Sequence, residues 1–324
     1  MKEKQSTCVY KKTSIGGQAL IEGVMMRGPK LTAMAVRNPE GEIVLESWAT
    51  ETSKRAKILT LPFIRGIFNF IDSMKFGYKA LMRSTEIAGL EEDEPKKKDL
   101  SAEQQAKQEK KQSATMNVIM VISSVLAVVL AITLFVALPA FLYSLLEKYI
   151  PSFPQGNRYL KSIFEGVMKV VLLVGYLALV SLMKDIRRTF SYHGAEHKTI
   201  FCYESGLELT VENVRNQKRF HPRCGTSFLI LMVLVSILIS LFIPPTIPTI
   251  LRVAIKLLMI PLIVGIGYEL IKLAGKHDNL LTRIISAPGV LLQRITVFEP
   301  DDEMIECAIA AMKEVIPEDG SDKW

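Results

Sequence analysis

The run VIMVISSVLAVVLAITLFVALPAFL, from Val118 to Leu142, carries no charged side chain, and it decides the class of the fold. At the helical rise it exceeds the roughly 30 Å of a bilayer's hydrocarbon core, which predicts a membrane span. Three further apolar stretches follow, at Val167 to Met183, Ser227 to Ile243 and Ile250 to Leu273. The third ends at Pro244-Pro245 and leads through Thr246-Ile247-Pro248 into the fourth, which reads as a helical hairpin. Because the third is short, a re-entrant hairpin is the alternative. In the second stretch Glu165 and Lys169 stand four apart and are expected to pair while the lysine snorkels. Arg252 and Lys256 are read as lying near one end of the fourth. The fold class expected is an α-helical integral membrane protein, with about four transmembrane helices and a small cytosolic α/β periphery.

Basic residues set the orientation. Lys96, Lys97, Lys98, Lys107, Lys110 and Lys111 precede the first span, and Lys184, Arg187, Arg188, Lys198, Arg215, Lys218, Arg219 and Arg223 follow the second. The positive-inside rule assigns both groups to the cytoplasm, together with both termini, in a multi-pass protein of the cell membrane. The net charge of +7 is modest, and its crowding at the edges of apolar blocks fits the lipid bilayer and anionic lipid headgroups as partners. Nucleic acid is not needed to explain it. Cys8, Cys202, Cys224 and Cys307 are too few and too scattered for a disulfide framework, which fits a reducing face. Residues Met1 to Ser14 hold no apolar core of the kind a cleaved signal needs, so an internal span is expected to anchor the chain.

The remainder reads as cytosolic attachments. Residues 1–52 form an N-terminal segment in which Ala33 to Arg37 and Glu42 to Trp48 flank the turn Asn38-Pro39-Glu40-Gly41 as a β-hairpin. Residues 53–90 carry an apolar helical stripe, Phe63, Ile64, Ile67, Phe68, Ile71 and Met74, broken by Arg65, Asp72, Lys75 and Lys79. That pattern predicts an in-plane interfacial helix, with a helix packed on the β unit as the alternative. Residues 91–115 are a charged linker, 116–184 the first two spans, 185–226 a histidine loop and 227–275 the third and fourth spans. In 276–324, Arg294 to Phe298 reads as a strand, and Asp301 is placed to cap a helix from Asp302 to Val315.

The chemistry concentrates in His193-Gly194-Ala195-Glu196-His197, in a chain with 4 histidines. On a helix, positions i, i+3 and i+4 share a face. His193 and His197 then offer two imidazoles to one metal ion, zinc or another divalent first-row metal, and Glu196 is placed as a general base. The plain alternative is a solvated helix on which Lys198 and Arg188 pair with Glu196. A hydrolytic zinc needs a third protein ligand, and His221 and Cys224 are the best placed to supply it. If both joined, the site would close and become structural. Glu204, Glu208 and Glu212 are the carboxylate alternatives, and Glu269, near His277, is an acid inside the last span.

The blocks Gly16-Gly17-Gln18-Ala19-Leu20-Ile21-Glu22-Gly23-Val24-Met25-Met26-Arg27-Gly28, His193 to Lys198, His221-Pro222-Arg223-Cys224-Gly225-Thr226-Ser227-Phe228 and Glu299-Pro300-Asp301-Asp302 resemble the YqhQ-like family of bacterial multi-pass membrane proteins. The resemblance covers nearly the whole chain and implies membrane placement. It also implies a metal-dependent activity, itself a prediction for a family of unestablished function. On the residues alone, the glycines of the first block fit tight turns or close packing, since the phosphate-loop lysine and spacing are absent. Glu22 in that block has the option of approaching the histidine loop.

Two functions follow from these readings. One is a metal-dependent hydrolase acting at the membrane interface on a peptide or lipid-linked substrate. The other is a non-catalytic membrane scaffold or assembly factor whose histidine loop is structural. Transport is disfavoured by the scarcity of polar residues within the spans.

Overall fold

The computed structural model describes residues 12–50, 57–90, 119, 122–150, 152, 154, 156–244, 247–277 and 279–323; the charged linker read at 91–115 lies outside them. The chain divides into two compact units, one made of Met1–Leu90, Val174–Val235 and Ile260–Trp324, the other of Glu91–Leu173 and Ser236–Met259.

The first unit is built on a four-stranded antiparallel meander, β1 (Gly16–Leu20), β2 (Gly23–Arg27), β3 (Leu31–Arg37) and β4 (Ile43–Ala49), in sequence order. The hairpin read across Asn38 to Gly41 is β3 and β4, with Ala33 opposite Ser47 and Arg37 opposite Ile43. β1 and β2 occupy the glycine-rich block and extend the sheet, pairing Gly17 with Met26 and Leu20 with Gly23. Alternation along β2 and β3 feeds two cores. Val24, Met26, Ala33 and Ala35 pack with residues of α4 (Lys184–Glu204) and α10 (Asp302–Val315), whereas Met25, Met34 and Val36 pack with Ala80 of α1 (Ile64–Ile87). Helix α10 starts where the sequence places it, and the Asp301 carboxylate accepts from the Met304 N–H at 2.9 Å.

Helix α1 is therefore not simply an in-plane element. Its small residues Gly66, Gly77, Ala80 and Ser84 are buried, with Gly66 against Tyr268, while Ile71, Met74 and Tyr78 remain exposed. The strand read at Arg294 to Phe298 is also corrected: Arg294 to Thr296 form the last turn of α9 (Leu280–Thr296), and extended backbone begins at Val297. A β-branched pair closing a helix resembles the start of a strand. The extended Phe298 N–H bonds the Phe190 carbonyl of α4 at 3.0 Å, a contact distant in sequence.

The second unit contains α2 (Ile122–Tyr149), with a π-helical turn at Thr133–Ala137, the first part of α3 (Arg158–Val180), the end of α6 (Gly225–Ser240) and α7 (Thr249–Leu258). Tyr143 packs its ring 5.6 Å from that of Phe164. Glu165 does not pair with Lys169: its carboxylate takes Lys256 of α7, and Lys169, read as snorkelling, is buried, as are Arg252 and Lys256.

Among the described residues, two helices are long and apolar enough to cross a membrane, Ile122–Tyr149 and Tyr159–Val180, or up to three if Ile250–Leu258 and Ile260–Lys276 make one broken span. Gly225–Ser240 is shorter. The break follows from Pro261, which follows the first residue of α8 (Ile260–Lys276) and has no N–H to continue the preceding helix.

Candidate metal centre

Helix α4 is a polar sequence buried on most sides. Residues Gly194 to Cys202 are all buried, and so is Glu204. Buried polar groups require partners, and those partners define the site. Lys198 gives its ammonium to Glu299 and to the Arg215 carbonyl at 2.8 Å. Arg188 forms a two-pronged pair with Glu22, with Nη2 at 2.6 Å from Oε2, and the Tyr192 hydroxyl reaches the same carboxylate at 3.2 Å. The two cations that a solvated helix would offer Glu196 are thus engaged elsewhere, and Glu196 is 5% exposed. Gly194 admits the extended backbone: a Cβ there would collide with the Phe298 carbonyl oxygen.

Both imidazoles are oriented by backbone carbonyls. His193 Nδ1 lies 3.1 Å from Thr296 O, and His197 Nδ1 lies 2.6 Å from Arg219 O. A carbonyl only accepts, so each Nδ1 carries the proton and each Nε2 presents a lone pair. His193 Nε2 stands 3.0 Å from Cys224 Sγ, and ligand atoms of His193, His197 and Cys224 all fall within 4.8 Å of one another. A tetrahedral zinc would set nitrogen and sulfur about 3.6 Å apart, so the group needs little adjustment to close on such an ion. Carbonyls holding the far nitrogen of each ring are the usual support of histidine ligands. Glu196 Oε2 lies 3.9 Å from His193 Nε2, at the edge of the group.

Cys224 directly precedes α6, and its sulfur accepts the Thr226 N–H at 3.4 Å. The loop before it is clamped by Gln293 of α9, which accepts from His221 N–H at 2.8 Å and donates to His221 O at 2.6 Å. His221 stacks near His197, with centroids 5.6 Å apart, but its ring nitrogens face Arg223 and Glu204: Nδ1 accepts the Arg223 N–H at 3.3 Å, and Nε2 lies 3.9 Å from Glu204. Among the described residues the ligand-capable group includes neither His221 nor Glu204, Glu208 or Glu212. His277 is exposed, and Glu269 pairs with Arg65 at 2.6 Å.

Burial pushes the Glu196 carboxyl up to about 7, against the pull of His193 and of a Gly17 N–H bond. Burial also holds His197 down to about 4, which keeps its imidazole neutral. Burial would raise the Cys224 thiol, but His197 and Thr226 outweigh it and bring it below its ordinary value. Glu204 is likewise held below the usual carboxylate range: the penalty of burial is overcome by His221, Arg223 and the Thr13 N–H. A cavity of about 550 Å³ opens on His193, Glu196 and Cys224, with Phe70, Met74, Phe228, Leu229, Tyr268 and Ile271 among its walls.

Sequence reasoning reached His193, Glu196, His197 and Cys224, and it missed Gly17, Gln293 and the carbonyls of Arg219 and Thr296. Only Gly17 had a signal, its place in a glycine-rich block. The carbonyls have none, because any residue supplies one.

A mostly helical chain with a small sheet and a His₂Cys cluster beside a buried carboxyl defines the class of protein. The chain belongs to the family described as "Protein of unknown function (DUF1385)", whose model matches residues 61–318. It is 36% identical over 303 residues to "Uncharacterized protein YqhQ" of Bacillus subtilis (strain 168), covering 93% of this chain and 92% of that protein. No solved structure matches it. The four blocks that carry the YqhQ-like resemblance converge on α4, through Gly17, the helix itself, Cys224 and Glu299.

Proposed function

We propose that the chain is a multi-pass membrane protein whose cytosol-facing centre holds zinc, or another divalent first-row ion, on His193, His197 and Cys224, and that it is a hydrolase acting at the membrane interface. One observation carries this reading: both imidazoles are fixed by backbone carbonyls so that their free nitrogens converge on one thiol. His193, His197 and Cys224 would hold the ion, whereas His221, which would be the fourth donor of a closed site, is engaged with Glu204 and Arg223. The bound ion would supply Lewis acidity. Glu196, buried and with a carboxyl that titrates near neutrality, takes the proton from the attacking water and returns it to the leaving group. The apolar walls of the cavity suit a lipid-linked or apolar peptide substrate, and the long apolar helices and basic flanks support contact with the bilayer and its anionic headgroups.

The rival reading, a scaffold ordered by metal, is disfavoured because Gln293 and the Lys198–Glu299 pair already hold the loop and α4. The test is complementation of a deletion strain. Glu196→Gln is expected to reach the membrane fraction and keep metal yet fail to complement, like His193→Ala. Full complementation by Glu196→Gln alongside failure of His193→Ala would replace the hydrolase with the scaffold.

A further inference from the structure

The second unit holds an ionic cluster that the hydrolase does not use. Glu165 and Lys169 on α3 and Arg252 and Lys256 on α7 are 1%, 8%, 1% and 9% exposed. Ser162, Glu165 and Lys169 follow one stripe of α3, and Arg252 and Lys256 one stripe of α7. Glu165 is bound to Lys256, and its other oxygen lies 4.0 Å from Arg252 Nε, too far for a hydrogen bond. Arg252 Nη2 reaches the Ser162 hydroxyl at 3.4 Å, and that hydroxyl donates to the Ser240 carbonyl at 3.1 Å. Among the described residues, Arg252 Nε and Nη1 and Glu165 Oε1 are buried without hydrogen-bond partners.

Among the described residues, three buried cations thus share these two helices with one buried carboxylate. A water between Arg252 Nε and Glu165 Oε1 would satisfy those two atoms, but it would leave Arg252 Nη1 bare and the surplus positive charge uncompensated. Burying unpaired charge is costly, and an oxyanion removes the charge surplus and the bare donors together. We propose that Arg252, Lys256 and Lys169 form a binding site for an oxyanion of the phosphate class, contributed by free phosphate or by a lipid headgroup. The planar guanidinium gives directed donors and the two ammonium groups give point charge, a combination suited to a phosphate with several acceptor oxygens.

The test is calorimetric titration of the purified full chain in neutral detergent with inorganic phosphate and, separately, with a short-chain phosphatidic acid, using the phosphatidylcholine analogue as control. Binding of inorganic phosphate assigns the site to the free ion. Binding of phosphatidic acid without inorganic phosphate or phosphatidylcholine assigns it to an anionic headgroup. In either case Arg252→Gln and Lys169→Gln are expected to weaken binding at least tenfold. Lys169 does not hold the Glu165 pair, so its variant carries the test if Arg252→Gln fails to fold. No binding of either probe, or binding undiminished in Lys169→Gln, overturns the proposal.

Discussion

Gly17 lies directly against Glu196: a Cβ on residue 17 would stand 2.8 Å from Glu196 Cγ and 2.9 Å from its carboxyl carbon. The first hairpin is thus the wall that seats the proposed base, and the glycine is required by close approach. Gly17→Ala would also press on the Met25 carbonyl oxygen at 2.7 Å, a backbone atom that yields little, so the Glu196 side chain must move. The expected result is a loss of about 1–3 kcal/mol in stability, as for other overpacked sites, together with failed complementation. Wild-type melting and full complementation would show that the wall is not needed.

Thiol chemistry separates the cysteines. Burial pushes Cys202 and Cys307 up to about 11, and both side chains are inaccessible. At pH 7.5 a thiol of that kind is thiolate in roughly three molecules per ten thousand, so maleimide should leave both untouched until the protein unfolds. Cys224 borders the cavity and has the lowered thiol, so among the three cysteines of the described residues it should be modified first in metal-stripped protein, and added zinc should protect it. Mass spectrometry of partly labelled protein gives the order, and early labelling of Cys307 would contradict the packing of α10.

Glu204 links the centre to acid stability. Its folded-state value lies below the ordinary 4.5, so its contribution is fully present above pH 4.5 and is lost as pH falls through the folded value. Removing it breaks a buried pair with Arg223, and Glu204→Gln should cost on the order of 3 kcal/mol at pH 7. Thermal melts between pH 7 and pH 3 should show a shallower acid loss in the variant. Parallel curves for both proteins would sever the link.

Local signals were the legible ones. The Asp301 cap and the turn at Asn38 to Gly41 each lie within a few residues, and the structure realises them as read, while the spacing of His193 and His197 brings both onto one face of α4. The hairpin of β1 and β2 was obscured because glycines erase the alternation of side chains that marks a strand. Pairings made across the chain were hidden. Glu165 was read against Lys169 and meets Lys256, and Glu269 was read near His277 and meets Arg65, whereas Glu22 does reach the segment of the histidines, through Arg188. The same blindness led to Arg294 being read as part of a strand, since the helix that claims it is defined by Gln293 reaching His221. His221 was grouped with the ligands by proximity to Cys224, and its ring is turned toward Glu204 by Arg223.

The most direct measurement is the metal content of the purified full chain, with and without the donors. About one equivalent of zinc or a similar divalent ion per chain is expected, falling to background in the His193→Ala/His197→Ala double variant and strongly reduced in Cys224→Ala, while His221→Ala retains most of it. A wild-type protein that binds no such ion when it is supplied, or a double variant that keeps a full equivalent, would contradict the account.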